Sequence, residues 1–476
     1  MDELMVFMDG RQMGHLTQKQ GRLALTYSDD WRGAQGAYPL STSMPLVSKE
    51  HGHREVTAFL WGLLPDNEQV LQRWARSFQV SARNPFALLS HVGEDCAGAA
   101  QFVRKDRVPT FLEETGENAV EWLTEKEIGR RLTALKQDAG AGRSPRDTGQ
   151  FSLAGAQPKT ALYYDGKKWG IPHGRMPTTH ILKPPTDEFD GFAENEHLCL
   201  QLAAALGLQT ARSAVRTFDG ATAIVIERYD RRRVTDIVGG RLKAAAGMDK
   251  RAEAASATGQ DRAANELRRQ AASLREQGRV LSETSPVPVL RVHQEDFCQT
   301  LSVLPVNKYQ SQGGPGPAEM IAHLRAHAAS PEDSARDVLR LVDAQIFNWL
   351  IGGTDAHGKN YSILIGAGGR IRLAPLYDIA SILAYADHDP RKVNLAMKIG
   401  DEYRLSKITG SEWMKFAAIT KLEQDLVLER IRSLRKALPD ALSDTIRNMR
   451  SQKLDHPILK VLEKVLPERC EAVSQI

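Results

Sequence analysis

The chain's richest stretch of reactive side chains lies between Asn348 and Ile365, in the letters NWLIGGTDAHGKNYSILI. An apolar, helix-like run ends at a Gly-Gly pair, and the chain turns strand-like soon afterwards. Four polar residues fill the short turn between the two elements: Asp355, His357, Lys359 and Asn360. Burying so many polar groups in a core would be costly. We therefore interpret the turn either as a polar cap on a helix or as a site for chemistry.

The spacing of Asp355 and Asn360 matches the offset between the base and the metal-binding amide in a protein-kinase catalytic loop. Such a loop aims a carboxylate at an acceptor hydroxyl while an amide oxygen reaches Mg²⁺. Downstream, Asp378 follows a strand-like run and is placed to supply a second oxygen ligand. Because Asp-x-x-x-x-Asn also occurs by chance, this spacing alone leaves both the catalytic and the capping interpretation open.

Three groups upstream suit phosphate chemistry. Lys183 ends the strand-like THILKPP, where it either reaches nucleotide phosphates or extends to solvent from a sheet edge. Glu196 opens the helix-like NEHLCLQLAAALGL, where it either offsets the helix dipole or pairs with a strand lysine. In FSLAGAQPKTALYY, small side chains before a strand let backbone N–H groups approach phosphate oxygens while Lys159 adds charge, although an ordinary turn has the same composition. The small residues are Ser152, Ala154, Gly155 and Ala156.

The chain order of predicted elements indicates a two-lobed protein. Residues 1–135 predict an N-terminal α+β subdomain, and 136–150, rich in Gly, Ser, Pro and charge, predict a linker. Residues 151–235 predict an antiparallel sheet with one packed helix, and 289–476 a mainly helical lobe. Between these, residues 236–288 are rich in Ala, Arg and Glu and predict a solvated helix or a partly disordered insertion. Loop, strand lysine, helix glutamate, Asp-x-x-x-x-Asn turn and late aspartate follow the order of parts in a bilobed kinase.

Length and composition set bounds on the protein's class. At 476 residues the chain is too long for one core, and its net charge of +4 does not indicate a general nucleic-acid binder. The scattered cysteines lack the spacing of a disulfide framework or a zinc site and fit a reducing cytosol; they are Cys96, Cys199, Cys298 and Cys470. No apolar run reaches the length of a spanning helix, and the N-terminus lacks the features of a secretion signal. We expect a cytoplasmic protein with no membrane partner.

With these motifs in order, the chain resembles the HipA-like serine/threonine kinases, the toxin halves of bacterial toxin–antitoxin pairs. The resemblance runs over nearly the whole sequence. Its motifs are YPLSTSMPL, LLPDN, NPFALLSHVGEDCAGA, FSLAGAQPKTAL, PTTHILKPP, NEHLCLQLAAALGL, IERYDRR, QEDFCQTL, GGPG, GGTDAHGKNYS and LAPLYDIAS. The resemblance implies an α+β, bilobed protein-kinase-like fold with an N-terminal α+β subdomain and a mainly helical C-terminal lobe, and it implies ATP and Mg²⁺ as cofactors.

The resemblance also assigns roles to individual residues. It implies that Asp355 is the catalytic base, that Asn360 and Asp378 are Mg²⁺ ligands, and that Lys183 binds the ATP phosphates. Ser152 matches a serine that these kinases autophosphorylate. The remaining expected nucleotide contacts are the phosphate-loop residues Ala154, Gly155, Ala156, Gln157 and Lys159, the hinge residues Glu227 and Tyr229, and the catalytic-loop residues His357 and Lys359. The last two could equally brace the turn.

The function implied is an ATP- and Mg-dependent protein kinase that arrests growth, is neutralised by a helix-turn-helix, HipB-like antitoxin, and inactivates itself by phosphorylating Ser152. The family's targets include aminoacyl-tRNA synthetases, and its members reach operator DNA mainly through the antitoxin. A kinase-shaped module that acts mainly as a transcriptional corepressor is the alternative. The sequence departs from the family pattern in its insertion at 236–288 and at Pro158 in the phosphate loop.

Overall fold

The computed structural model describes residues 2–138, 151–186, 189–389 and 391–476. Its first part, the N-terminal module (residues 2–113), is an antiparallel sheet in the order β4-β3-β2-β1-β5 with helices packed on it. An Asp-Gly pair, which is a common sequence signal for a hairpin, joins β1 to β2: Asp9 and Gly10 both adopt positive φ angles, as a tight turn between paired strands requires. The elements are β1 (Asp2–Met8), β2 (Arg11–Lys19), β3 (Arg22–Tyr27), α1 (Asp29–Arg32), β4 (Glu50–His51), α2 (His53–Gly62), α3 (Glu68–Phe78), α4 (Pro85–Val92), β5 (Gln101–Arg104) and α5 (Val108–Glu113).

A second antiparallel sheet, in the order β10-β11-β9-β7-β8-β6, forms the first lobe. Its elements are β6 (Val120–Leu123), α6 (Glu125–Gln137), β7 (Thr160–Tyr164), β8 (Trp169–Pro172), β9 (His180–Lys183), α7 (Phe192–Ala205), β10 (Ser213–Phe218) and β11 (Ala221–Glu227). The boundary predicted at residue 135 differs from this arrangement, because β6 pairs with β8 and α6 buries its apolar face, including Ile128 and Leu132, on this sheet. From residue 139 on, the predicted linker lies outside the described residues.

The segment predicted as a solvated helix or a disordered insertion is a helical hairpin. Its helices are α8 (Val234–Ala257) and α9 (Asp261–Thr284), which rise from the short strand pair β12 (Arg231–Arg233) and β13 (Val289–Arg291). A stripe of alanines is buried between the helices while charged side chains face outward; these alanines are Ala245, Ala252, Ala264 and Ala271. Small side chains at regular helical spacing let two helices approach closely, so the hairpin needs no large apolar residues.

The second lobe is mainly helical, as predicted. It contains β14 (His293–Asp296), α10 (Phe297–Thr300), α11 (Pro317–His327), α12 (Pro331–Ile351), β15 (Ser362–Ile365), β16 (Ile371–Leu373), β17 (Asn394–Ile399), β18 (Glu402–Arg404), α13 (Gly410–Thr420), α14 (Gln424–Ser451) and α15 (Pro457–Ala472). Helix α12 runs through its core, where Trp349 meets Trp413 edge to face at 5.5 Å. Among the described residues, no helix is both long and apolar enough to cross a membrane.

A buried ionic network joins the module to the first lobe and to the strand pair β12/β13. The Asp95 carboxylate accepts hydrogen bonds from Arg231 at 2.8 Å, from Arg291 at 3.1 Å and from the Thr178 hydroxyl at 2.6 Å. Burial alone would raise the pKa of Asp95, but the surrounding guanidinium groups of Arg231, Arg291 and Arg228 hold it far below its ordinary value. Asp95 therefore stays ionised and ties the module to the first sheet and to the strand pair below the hairpin.

Removing the outer part of the hairpin should leave the rest of the fold intact. We expect deletion of residues 242–276, with a short Gly-Ser bridge from Arg241 to Gln277, to change the melting temperature by less than about 4 °C. Arg241 already donates to the Gln277 carbonyl at 2.9 Å, so the new ends lie together. Differential scanning calorimetry measures the change, and a fall of more than about 10 °C would show that the hairpin supports the core.

Candidate active site

A cleft of about 470 Å³ lies where the first sheet, the second lobe and the N-terminal module meet. It gathers every residue predicted to take part in chemistry or nucleotide binding, although these residues are spread over more than 220 positions of the sequence. They are Ser152, Ala154, Gly155, Ala156, Gln157, Lys159, Lys183, Glu227, Tyr229, Asp355, His357, Lys359, Asn360 and Asp378. The roles of these residues stay predictions, but their predicted proximity is present.

Lys183 lies at the centre of the charged groups in the cleft. It is the last residue of β9, and its ammonium contacts Glu196 of α7 at 2.9 Å and Asp378 of the second lobe at 2.6 Å. The pairing of Glu196 with a strand lysine, which the sequence left open, is thus present. Burial alone would lower the pKa of Lys183, but the Asp378 and Glu196 carboxylates hold it above its ordinary value. The lysine therefore stays protonated and joins the two lobes.

The catalytic-loop turn is shaped by the end of α12. Gly352 caps this helix with a φ of 66°, and a Cβ placed there would lie 2.6 Å from the Leu383 side chain, so only glycine fits without strain. After this turn the Asn360 side-chain amide donates to the backbone carbonyl of Asp355 at 2.7 Å. Because that bond uses the amide nitrogen, the amide oxygen is the atom available to a cation. The Asp-x-x-x-x-Asn spacing thus closes a loop that fixes both side chains.

Asp355 faces the open side of the cleft, with 67% of its side chain exposed. The hydroxyl of Tyr309 donates to its carboxylate at 2.5 Å. The cleft walls withhold solvent and raise the pKa of Asp355, whereas the Tyr309 hydrogen bond lowers it. A carboxylate that is accessible, tuned towards a higher pKa and already bound to a hydroxyl is suited to accept a proton from an alcohol.

His357 and Lys359, in contrast, point into the protein. The Lys359 ammonium lies 3.0 Å from the Asp66 carboxylate of the N-terminal module, and only 4% of its side chain is exposed. His357 packs edge-on to the Tyr309 ring at 5.0 Å. Burial lowers the pKa of His357 to about 3, so this imidazole is neutral at physiological pH. These contacts favour the bracing interpretation of both residues over direct nucleotide contact.

The phosphate loop is held against the N-terminal module. The Ser152 hydroxyl donates to the Leu63 carbonyl at 2.8 Å, and the Ser152 side chain is fully buried. Gly155 has a φ of 101°, a left-handed conformation that favours glycine, and the Lys159 ammonium donates to the Ala154 carbonyl at 2.7 Å. Burial and then the nearby Lys183 charge lower the pKa of Lys159 to about 8. The loop is thus positively charged and small enough for backbone N–H groups to meet phosphate.

The predicted hinge follows β11, the strand that pairs with β9. Glu227 ends this strand, and its backbone N–H donates to the Arg212 carbonyl at 2.9 Å. The Tyr229 hydroxyl is hydrogen-bonded to Gln294, and its ring lies 5.7 Å from the Tyr377 ring. Both rings line the cleft and give it an aromatic surface on which a planar base can stack.

Oxygen ligands for a divalent cation are available at Asp378 and Asn360. Asp378 has a φ of 56°, a left-handed conformation that costs of order 1–3 kcal/mol for a residue other than glycine and that turns its carboxylate into the cleft. Among the described residues, no group of three or more His, Cys, Asp or Glu could hold a metal alone. One carboxylate, one amide oxygen and the phosphates of a nucleotide are nevertheless a set that Mg²⁺ accepts.

Sequence reasoning missed three side chains of the site: Asp66, Lys308 and Tyr309. LLPDN was noted only as a motif of the family resemblance, with no role for Asp66 in the site, and the structure makes its Asn67 the N-cap of α3. Asp66 instead extends into the cleft. Lys308 and Tyr309 precede the GGPG motif and carry no spacing signal of their own. Long-range folding alone brings them to Asp355.

Comparison with known proteins identifies the domains. The family model for the HipA-like C-terminal domain matches residues 151–442, and the model for the HipA N-terminal domain matches residues 4–103. The fold is similar to a HipA chain of known structure from Shewanella oneidensis, solved as a complex of HipA, HipB and operator DNA, with a TM-score of 0.75 and 24% identity over 99% of this chain and 98% of that one.

Two relatives match over most of their length. The Sinorhizobium fredii protein named "Putative kinase Y4mE" is 35% identical over 95% of this chain and 94% of its own length. The Shewanella oneidensis serine/threonine-protein kinase toxin HipA is 28% identical over 89% of this chain and 84% of its own length. With both domain models matched in order and the cleft assembled between them, this chain belongs to the HipA-like kinase family.

Proposed function

We propose that this kinase transfers the γ-phosphate of Mg-ATP to a serine or threonine hydroxyl of a protein, with Asp355 as the base. The observation that carries the proposal is the contact of Lys183 with both Glu196 and Asp378, next to an accessible Asp355 in the same cleft. A lysine–glutamate pair, a metal-binding aspartate and a base are the parts that phosphoryl transfer requires together.

Each group has a chemical task in this proposal. The Asp355 carboxylate accepts the proton of the acceptor hydroxyl as its oxygen forms a bond to the γ-phosphorus, and the bond to the β-phosphate oxygen breaks to release ADP. Lys183 binds phosphate oxygens and stays charged because the Asp378 and Glu196 carboxylates both contact it. Asn360 and Asp378 would hold Mg²⁺, which neutralises charge on the phosphates when bound. The adenine would stack beside Tyr229.

We further propose that the protein acts with a HipB-like, DNA-binding antitoxin and contacts operator DNA through it. Support comes from the solved relative, whose complex contains HipA, HipB and operator DNA, and from the match of both HipA domain models. Growth arrest by the free kinase, relieved by that antitoxin, is the corresponding cellular role. Co-expression of this chain with the product of an adjacent helix-turn-helix reading frame, followed by co-purification, tests the pairing.

Asp355→Asn should keep the fold but lower phosphoryl transfer by about 10²–10⁴-fold, because an amide cannot accept the hydroxyl proton. Transfer of label from γ-labelled Mg-ATP measures the rate, and Asp444→Asn, an exposed aspartate on α14, is the matched control. If Asp355→Asn transferred label at the wild-type rate, Asp355 would not be the base. If the wild type transferred none to itself or to a generic acceptor protein, the kinase proposal itself would fail.

Tyr309→Phe should move the acid limb of the pH–rate profile to higher pH. The Tyr309 hydrogen bond lowers the pKa of Asp355, so removing the Tyr309 hydroxyl raises that pKa. The Asp355 carboxylate then becomes protonated, and the rate falls, at a higher pH than in the wild type. Initial rates at limiting ATP between pH 4 and 9 measure the shift. Tyr403→Phe, on β18 and away from the cleft lining, should leave the limb in place. A limb that moves to lower pH, or stays unchanged, contradicts the proposed contact.

Phosphorylation of Ser152 should abolish ATP binding. It adds about −1.5 to −2 charges in a fully buried pocket beside the place proposed for the nucleotide phosphates, so the modified loop has to leave that pocket. Calorimetric titration of Mg-ATP into the phosphorylated form, separated by ion-exchange chromatography and verified by mass spectrometry, measures the loss. Ser152→Ala, which keeps the loop uncharged, is the control. Equal ATP affinity of the phosphorylated and unmodified forms would refute self-inactivation.

A further inference from the structure

The N-terminal module contributes a carboxylate to the cleft. Asp66 follows helix α2, which ends at Gly62, and its carboxylate contacts two lysines of the second lobe, Lys359 at 3.0 Å and Lys308 at 2.9 Å. All three side chains are largely buried, with 11% of Asp66, 4% of Lys359 and 15% of Lys308 exposed. Both buried ammonium groups bind the same carboxylate. Removing that carboxylate would leave the charges of the two lysines without this partner in the interior.

The same segment of the module also holds the phosphate loop. The Asp66 backbone N–H donates to the Gly155 carbonyl at 3.2 Å, and Pro65 and Gly155 pair as in a parallel strand bridge. One turn earlier, the Leu63 carbonyl accepts the Ser152 hydroxyl. One short stretch of the module thus holds both loops. Its backbone groups bind the phosphate loop, and the Asp66 side chain binds the catalytic loop.

The partners of Asp66 lead directly to the predicted base. Lys359 belongs to the Asp355–Asn360 turn, and its backbone carbonyl accepts the Tyr377 hydroxyl at 2.6 Å. Lys308 precedes Tyr309, whose hydroxyl binds the Asp355 carboxylate. Asp296, at 4.0 Å from the Lys359 ammonium, is the other carboxylate near it. A displacement of either lysine would therefore be transmitted to Asp355.

We propose that Asp66 is a positioning residue for phosphoryl transfer: by binding Lys359 and Lys308, it lets the N-terminal module fix the catalytic loop against the phosphate loop. The inference rests on the proposed kinase function. It assigns to the module a part in the reaction itself. Burial alone would raise the pKa of Asp66, but Lys359 and Lys308 hold it below its ordinary value, so the carboxylate is charged.

The test compares Asp66→Asn with wild type in the full-length protein. Asparagine keeps the shape and the backbone bond to Gly155 but removes the charge. We expect the maximal rate of label transfer from Mg-ATP to fall by about ten- to a hundredfold, because small displacements of reacting groups have effects of this size. The ATP concentration for half-maximal rate should change less than about threefold, because Asp66 contacts neither the proposed adenine end nor Lys183.

A double-mutant cycle separates positioning from general support of the fold. On a Lys359→Met background, Asp66→Asn should lower the rate by less than about threefold, because its main partner is already gone. Asp66→Glu, which keeps the carboxylate, should retain more activity than Asp66→Asn. Asp29→Asn is the matched control: Asp29 lies in the same module and pairs with Lys49 at 2.6 Å, but is exposed and outside the cleft lining.

The outcomes are distinguishable. A wild-type rate in Asp66→Asn, or the same fold-loss with and without Lys359, would overturn the positioning role while leaving the kinase proposal in place. Absence of transfer by the wild type would instead refute the kinase proposal. The thermal melting of every variant is measured to check that it folds. If Asp66→Asn failed to fold, Asp66→Glu and Lys308→Gln would decide. Wild-type transfer rates in both would overturn the positioning role, and a reduced rate in Lys308→Gln with a partly retained rate in Asp66→Glu would support it.

Discussion

The buried carboxylate of Asp95 is the contact on which the arrangement of the N-terminal module, the first lobe and the strand pair below the hairpin depends. It receives Arg231 and Arg291 from the strand pair below the hairpin and Thr178 from the first sheet, while its own chain segment belongs to the N-terminal module. Its backbone carbonyl also accepts the Ser152 N–H at 3.0 Å. Ionic groups this deeply buried are costly unless all are paired, so the three parts of the chain have one stable relative position.

That fixed position makes the cleft a shared structure. The first sheet supplies Lys183, the second lobe supplies Asp355 and Asp378, and the N-terminal module supplies Asp66. The lobes meet through the Lys183–Asp378 contact, and the module meets the second lobe through Asp66 and Lys359. Each of these contacts pairs opposite charges on two different parts of the chain. The same side chains therefore set the charge distribution in the cleft and hold the module and the lobes together.

Local sequence signals were sufficient where the placement of a side chain depends on spacing along the chain. The Asp355–Asn360 turn and the strand-end position of Lys183 appear as predicted, and the Asp-Gly pair at residues 9 and 10 forms a hairpin turn. The boundary near residue 135 stays a prediction; α6, which precedes it, packs on the first-lobe sheet, and the sequence of an amphipathic helix does not say which sheet will cover its apolar face. The hairpin at 234–284 was only half anticipated, since a stripe of alanines is a weak hydrophobic signal in either a packed or a solvated helix.

By itself the sequence determined the family and the two-lobed α+β class, and it predicted which polar side chains take part in phosphoryl transfer, because these depend on residue type, order and local spacing. The tertiary structure decided which partner each side chain takes. In the folded chain Lys359 pairs with Asp66 instead of extending into solvent, and the Tyr309 hydroxyl binds the Asp355 carboxylate. The Ser152 side chain points into a buried pocket. Side chains separated by tens to hundreds of residues meet only when the core and the buried ion pairs fix the relative positions of the module and the lobes. A local sequence pattern carries no information about such long-range contacts.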